Sequence, residues 1–173
     1  MKYTLKSIIE CLLLISDEPL SISHIIKTIS DKKISKKEVV KAISSLNSDY
    51  EDKAIHICEV ASGYRFQAKE GLESYISNLK DKSSNKFSKA FLETTAIIAY
   101  KQPVTRGDIE NIRGIAVNTN IIRTLVELEW IKVVGHKDSP GKPELFATTS
   151  KFLDYFNKNK LSELPEISDV ESL

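Results

Sequence analysis

The stretch that most invites a chemical reading is Gly135-His-Lys-Asp-Ser-Pro-Gly-Lys142, two glycines and a lysine in the manner of a phosphate-cradling loop. Its spacing defeats that reading. Five residues separate Gly135 from Gly141 where the loop needs about four, and Pro143 stands where a Ser or Thr is required. Leu145–Thr148 then reads as a strand, so no helix N-terminus follows to receive a phosphate. His24 falls on an expected helix, His56 on a strand and His136 in a polar loop, each without a Cys or carboxylate at ligand spacing. Cys11 and Cys58 share no such spacing either and are read as two buried thiols in a reducing compartment. The carboxylates alternate with lysines on solvated faces and meet no acid–base or triad pattern. These residues predict no enzyme, no metal, no cofactor and no small-molecule substrate.

Binding is the remaining chemistry. Asn118, Asn120 and Arg123 open a helix as base-reading side chains would, but Glu127 and Glu129 close it. An earlier helix starts with Lys36, Lys37 and Lys41 beyond Lys32 and Lys33, yet Glu38, Asp49, Glu51 and Asp52 follow. Residues 1–80 carry 12 bases and 11 acids, and residues 81–173 carry 13 of each, for a net charge of +1 over the 173 residues. A dedicated DNA binder relies on a basic surplus to neutralise phosphates, so DNA contact is expected to be weak or indirect at most. Ile121, Ile122, Leu125, Val126 and Leu128, by contrast, spread apolar surface over more than one side of their helix. Two readings stand: a deeply packed helix, or a groove that receives a partner segment.

The elements that position these residues follow from periodicity. Leu5, Ile8, Ile9, Leu12 and Leu13 mark an amphipathic helix that stops near Ser16, before the turn Asp17-Glu18-Pro19. Ser7 and Glu10 interrupt what otherwise looks like a signal peptide, and no apolar run approaches the ~18 residues that span a membrane. Ser21 caps a second helix with Ile22, Ile25, Ile26 and Ile29, and Ser35 a third with Val39, Ile43, Leu46 and Tyr50. AIHICEV and RFQAK form a hairpin across SGY, and Leu72, Tyr75, Ile76 and Leu79 a last helix.

The second half repeats the order. A helix over Phe91–Tyr100 places Leu92, Thr95, Ala96 and Ala99 on one face, and Pro103 sits in a connection where its missing N–H does no harm. Thr105 begins a Thr-x-x-Asp cap before Ile109 and Ile112, Gly114 supplies a positive φ beyond that helix, and Asn118 or Thr119 opens the third. Trp130–Val134 and Leu145–Thr148 are strands around a polar tip. Three helices, a strand, a wing and a strand are the winged-helix order. Laying Ile15–Ser21 on Ala99–Thr105 gives an offset of 84, while Phe66 on Phe146 and Tyr75 on Tyr155 gives 80. The fold class expected is mainly α with small β-ribbons: two winged-helix domains in tandem, residues 1–80 and 90–160. A polar linker covers 81–89 and an acidic tail 161–173.

AIIAYKQPVTRGDIENIRG followed by RTLVELEWIKVVGHKDSPGKPELFATTSKFLDYF resembles the bacterial segregation and condensation protein B family, with LSELPEI continuing the match and SDEPLS and SGYRFQ carrying it in the first half. The resemblance implies a non-enzymatic, homodimeric accessory subunit of the SMC–kleisin condensin-like complex, cytoplasmic and nucleoid-associated. It would bind the kleisin directly and the SMC ATPase through it, acting in chromosome condensation and segregation at cell division. It further implies dimerisation through the first domain and kleisin contact through the second. On the densest part of the match the expected contacts are Tyr100, Arg106, Arg113, Ile122, Arg123 and Val126, with Lys137 and Pro140 on the wing. Arg106 reads equally well as a surface cap residue, and Arg113 as a cation favoured by the C-terminal end of its helix. The competing reading of the same fold is a winged-helix transcriptional regulator.

Overall fold

In a computed structural model the chain is described over residues 3–30, 34–79 and 87–165, the side chains of 78 and 79 apart. Lys32 and Lys33, most of the expected linker and the end of the acidic tail lie outside the described residues. The chain divides into two compact units, Met1–Ser84 with Asn157–Asn159, and Asn85–Phe156 with Lys160–Leu173. Each consists mainly of helices with one two-stranded antiparallel ribbon, as the sequence predicts.

In the first unit, α1 (Leu5–Ile15), α2 (Ile22–Ile29) and α3 (Lys36–Asp49) begin at Thr4, Ser21 and Ser35, whose hydroxyls accept otherwise orphaned N–H groups. Ser35 and Glu38 complete a reciprocal capping box. Ile9, Leu13, Ile25, Val39, Ile43, Leu46 and Ile57 form the core. Asn47 fastens α3 to β1 (Ile55–Val60): its side chain exchanges two hydrogen bonds with the Ile57 backbone, at 2.8 and 2.9 Å. β2 (Gly63–Ala68) pairs with β1, and Tyr64 also exchanges both backbone bonds with Leu20, from the α1–α2 connection. That contact requires Gly63, since a Cβ there would lie 2.3 Å from the Leu20 carbonyl carbon and φ is 143°. α4 (Glu73–Leu79) closes the unit. Cys11 is exposed and Cys58 only half-buried, against the expected pair of buried thiols. The α1 stripe that packs inward is centred on Ile9 and Leu13, which leaves Cys11, Leu14 and Ile15 outside.

In the second unit, α5 (Lys89–Lys101) starts two residues before the expected point and is capped by Ser88. Its buried face is Phe91, Thr94, Thr95, Ile98 and Ala99. Leu92, expected on that face, is exposed, because the stripe runs from Phe91 and the threonine hydroxyls satisfy themselves on carbonyls one turn back. α6 (Arg106–Arg113) and α7 (Thr119–Glu127) follow, then β3 (Ile131–His136), β4 (Glu144–Thr148), α8 (Ser150–Tyr155) and a 3-10 turn at Leu161–Glu163. Gly114 takes φ 70° and Asn118 caps α7, as expected. The ribbon carries a bulge between Val133 and Gly135. Trp130 precedes the strand it was expected to begin and is the aromatic hub, 4.4 to 6.2 Å from the rings of Phe87, Phe91, Phe152, Tyr155 and Phe156.

Val104 bonds Phe146 on both backbone groups, as Leu20 bonds Tyr64. Each unit therefore adds a single-residue bridge to its own ribbon, and the bridge partners make Tyr64, rather than Phe66, the counterpart of Phe146. A slip of two positions leaves every side chain on its own face, which is why aromatic identity alone misplaced it.

Candidate partner-docking site

The segment Ala99–Arg106 is built to hold α5, α6 and the ribbon together. The Gln102 side-chain oxygen accepts from the Thr148 N–H at 2.6 Å and the Thr148 hydroxyl at 3.1 Å, while its amide donates to Ala99 O. A cis bond joins Gln102 to Pro103. Thr105 and Asp108 form the capping box that starts α6. One Asp108 oxygen accepts from the Thr105 N–H and hydroxyl at 3.0 and 2.8 Å, and the other takes Lys137 Nζ from the wing at 2.8 Å. The Lys137 hydrogen bond first, then those from Thr105, hold the Asp108 carboxyl down to about 2.

Arg106 closes the loop between α6 and α7. Its guanidinium donates to Glu110 Oε1 at 3.0 Å, Thr119 Oγ1 at 3.0 Å and the Val117 carbonyl at 2.5 Å. Glu110 Oε1 also accepts the Val117 N–H at 2.9 Å, and that bond, ahead of Arg106, keeps the Glu110 carboxyl below its usual range. With Val117 buried between them, the loop is fixed by one planar fork that a lysine could not reproduce. Arg106, Thr119, Ile122, Arg123, Pro143, Glu144 and Phe146 then line a cleft of about 440 Å³ between α6, α7 and the ribbon.

The eight expected contact residues divide among three places. Arg106, Ile122 and Arg123 meet in this cleft. Val126 lies one turn along α7 at 44% exposure, Pro140 is exposed at the wing tip, and Arg123 pairs loosely with Glu127 at 3.5 Å. Lys137 is engaged by Asp108, so it anchors the wing onto α6. Tyr100 and Arg113 belong elsewhere, to an apolar groove of about 430 Å³ between α5 and α6 with Glu93, Ala96, Ile97, Lys101 and Ile112. The Arg113 side chain is 6% exposed, donates to Glu93 at 3.1 Å and keeps its Nε buried without an acceptor. Of the two readings of α7, Leu125 alone packs to full burial, while Val126 and Leu128 face outward and Ile121 and Ile122 are half-buried. Sequence reasoning missed Gln102, Asp108 and Val117 as site-shaping residues. The Thr-x-x-Asp signature was available for Asp108, but its wing partner is 29 positions away.

Among the described residues no group of His, Cys, Asp and Glu could hold a metal, and no helix is long and apolar enough to cross a membrane. The family model described as segregation and condensation complex subunit ScpB matches residues 7–167. The chain belongs to the ScpB family. A segregation and condensation protein B homolog of Coxiella burnetii is 50% identical over 128 residues, 74% of this chain and 61% of the relative, so the match spans about three-fifths of that protein's length. The segregation and condensation protein B of Symbiobacterium thermophilum is 40% identical over 94% of this chain and 73% of its own. The crystal structure of ScpB from Mycobacterium tuberculosis is 28% identical, covering 88% of this chain and 94% of that one, with a TM-score of 0.40.

Proposed function

We propose that this ScpB-family chain is a non-enzymatic, homodimeric accessory subunit of the SMC–kleisin complex, working in the cytoplasm on the nucleoid in chromosome condensation and segregation. The kleisin, segregation and condensation protein A, is its direct partner, and the SMC ATPase is reached through it. The first unit supplies the dimer contact and the second receives the kleisin at the α6–α7–wing cleft. One observation carries this reading: α7 turns Val126 and Leu128 outward, at 44% and 38% exposure, beside a cleft floored by Ile122 and Phe146. An apolar helix face next to a concavity suits an amphipathic partner helix better than a phosphate backbone. In this arrangement Ile122, Arg123, Val126 and Pro140 touch the kleisin, while Arg106 and Lys137 fix the walls they stand on.

The test is co-purification of the kleisin with the paired variant Ile122→Glu and Val126→Glu, whose folding is checked by Trp130 fluorescence. Loss of the kleisin with an unchanged melt supports the cleft, and full retention removes it. A salt titration against duplex DNA covers the regulator reading. Tight, sequence-selective binding with a steep salt slope would replace the condensin role.

A further inference from the structure

The α5–α6 groove shares no lining residue with the α7–wing cleft. Glu93, Ala96, Ile97, Tyr100 and Lys101 bring one face of α5 to it at helical spacing, over a length of about 12 Å. Ile112 and Arg113, at the end of α6, form the facing wall. The Tyr100 hydroxyl donates to the Pro165 carbonyl at 2.5 Å, which leaves its ring to the groove. Apolar exposure extends to the neighbours. Leu92 lies one turn before Ala96, Ile115 follows Gly114, and both are exposed together with Ile112. A concavity between two helices, edged by exposed apolar side chains, has the shape that a third helix fills.

Charge selects the kind of helix. Among the described residues, Nη2 alone of the Arg113 N–H groups has an acceptor, Glu93 Oε2 at 3.1 Å. Its Nε is shut from water with nothing to donate to, a standing cost that an acceptor brought in along the groove removes. The bond to Glu93 places Arg113 at one end of the α5 face, and Lys101 stands eight residues on, about 12 Å away. Lys101 makes no ion pair among the described residues. Two cations two turns apart therefore flank an apolar floor of Ala96, Ile97 and Ile112, with Glu93 the single carboxylate. We propose that the α5–α6 groove is a second docking site, which takes an amphipathic helix of a protein partner with acidic residues about two turns apart. One acid meets Arg113, the other meets Lys101, and the apolar turn between them covers Ile97 and Ile112. The site stands on the second unit alone and is independent of the kleisin assignment.

The probe is a synthetic helical peptide with leucines on one face and two glutamates two turns apart. It is titrated into the full chain carrying labelled isoleucine methyl groups read by NMR. Ile97 and Ile112 report the groove, Ile122 the other cleft and buried Ile109 the core. The peptide is expected to move Ile97 and Ile112 saturably and to leave Ile122 and Ile109 in place. Glutamines in place of its glutamates should weaken binding about fivefold, and Lys101→Glu, a surface change that spares the fold, about two- to fivefold. Kleisin bound beforehand should leave the peptide's affinity unchanged. No saturable shift below roughly 1 mM overturns the proposal. So does equal binding by the glutamine peptide, or loss of the peptide once the kleisin is bound. Shifts that follow protein concentration with a doubled mass in light scattering assign the groove to a second copy and overturn it as well.

Discussion

Asp108→Asn removes one charge and keeps the shape of the α6 cap, which makes it the cleanest probe of the wing latch. The carboxyl lies at about 2 in the folded chain against an ordinary value of 3.8. At ~1.36 kcal/mol for each pH unit, that gap sets a ceiling of about 2.4 kcal/mol on its contribution to stability. Some 31% of the side chain faces water, and screening of the Lys137 pair lowers the expected loss to roughly 1–1.5 kcal/mol. The sign follows from the depressed value. Stability from this carboxylate is complete above about pH 5 and is lost as pH falls through 4 towards 2, where the native group takes up its proton. Urea unfolding followed by Trp130, the chain's single tryptophan, reads the second unit directly. The variant should be less stable at pH 7 by that amount, and the two proteins should converge near pH 2. A cycle with Lys137→Met should show coupling of about 0.5 kcal/mol. A loss below about 0.5 kcal/mol at pH 7, or two curves that stay parallel down to pH 2, would refute the latch.

Arg106→Lys should destabilise the second unit almost as much as Arg106→Met, by about 1–2 kcal/mol, because one ammonium cannot bridge Glu110, Thr119 and Val117 O together; denaturation followed by Trp130 measures both. Trp130→Ala opens the aromatic hub and is expected to cost about 3–5 kcal/mol, seen as loss of cooperative unfolding in near-UV circular dichroism of the tyrosines. Gly63→Ala drives a methyl into the Leu20 carbonyl and should weaken the first unit by more than ~2 kcal/mol while leaving Trp130 fluorescence in place; proteolysis within residues 1–80 reports it. Ile122→Glu with Val126→Glu should abolish kleisin co-purification without shifting the melt.

How much of this was legible in the sequence follows from the range of the forces involved. Helix starts at Ser21, Ser35, Thr105 and Asn118 were readable because a cap satisfies donors within three residues. The left-handed Gly114 and the failed phosphate loop were equally local, the second because β4 begins at Glu144. The order of elements and its repetition were fixed by hydrophobic period, which a chain carries along its length. Exposure was not. Cys11 and Leu92 sit on apolar stripes of the sequence yet are exposed, because only the facing helices decide which side of a wide stripe is covered. The roles of Arg106 and Lys137 were undecidable too, since their acceptors lie 11 and 29 positions away and the fold alone brings them within 3 Å. The sequence by itself determined two winged helices with little surplus charge for DNA. Tertiary structure decided which of their side chains hold the walls and which face out, because an ion pair or a packed face exists only where two distant stretches meet.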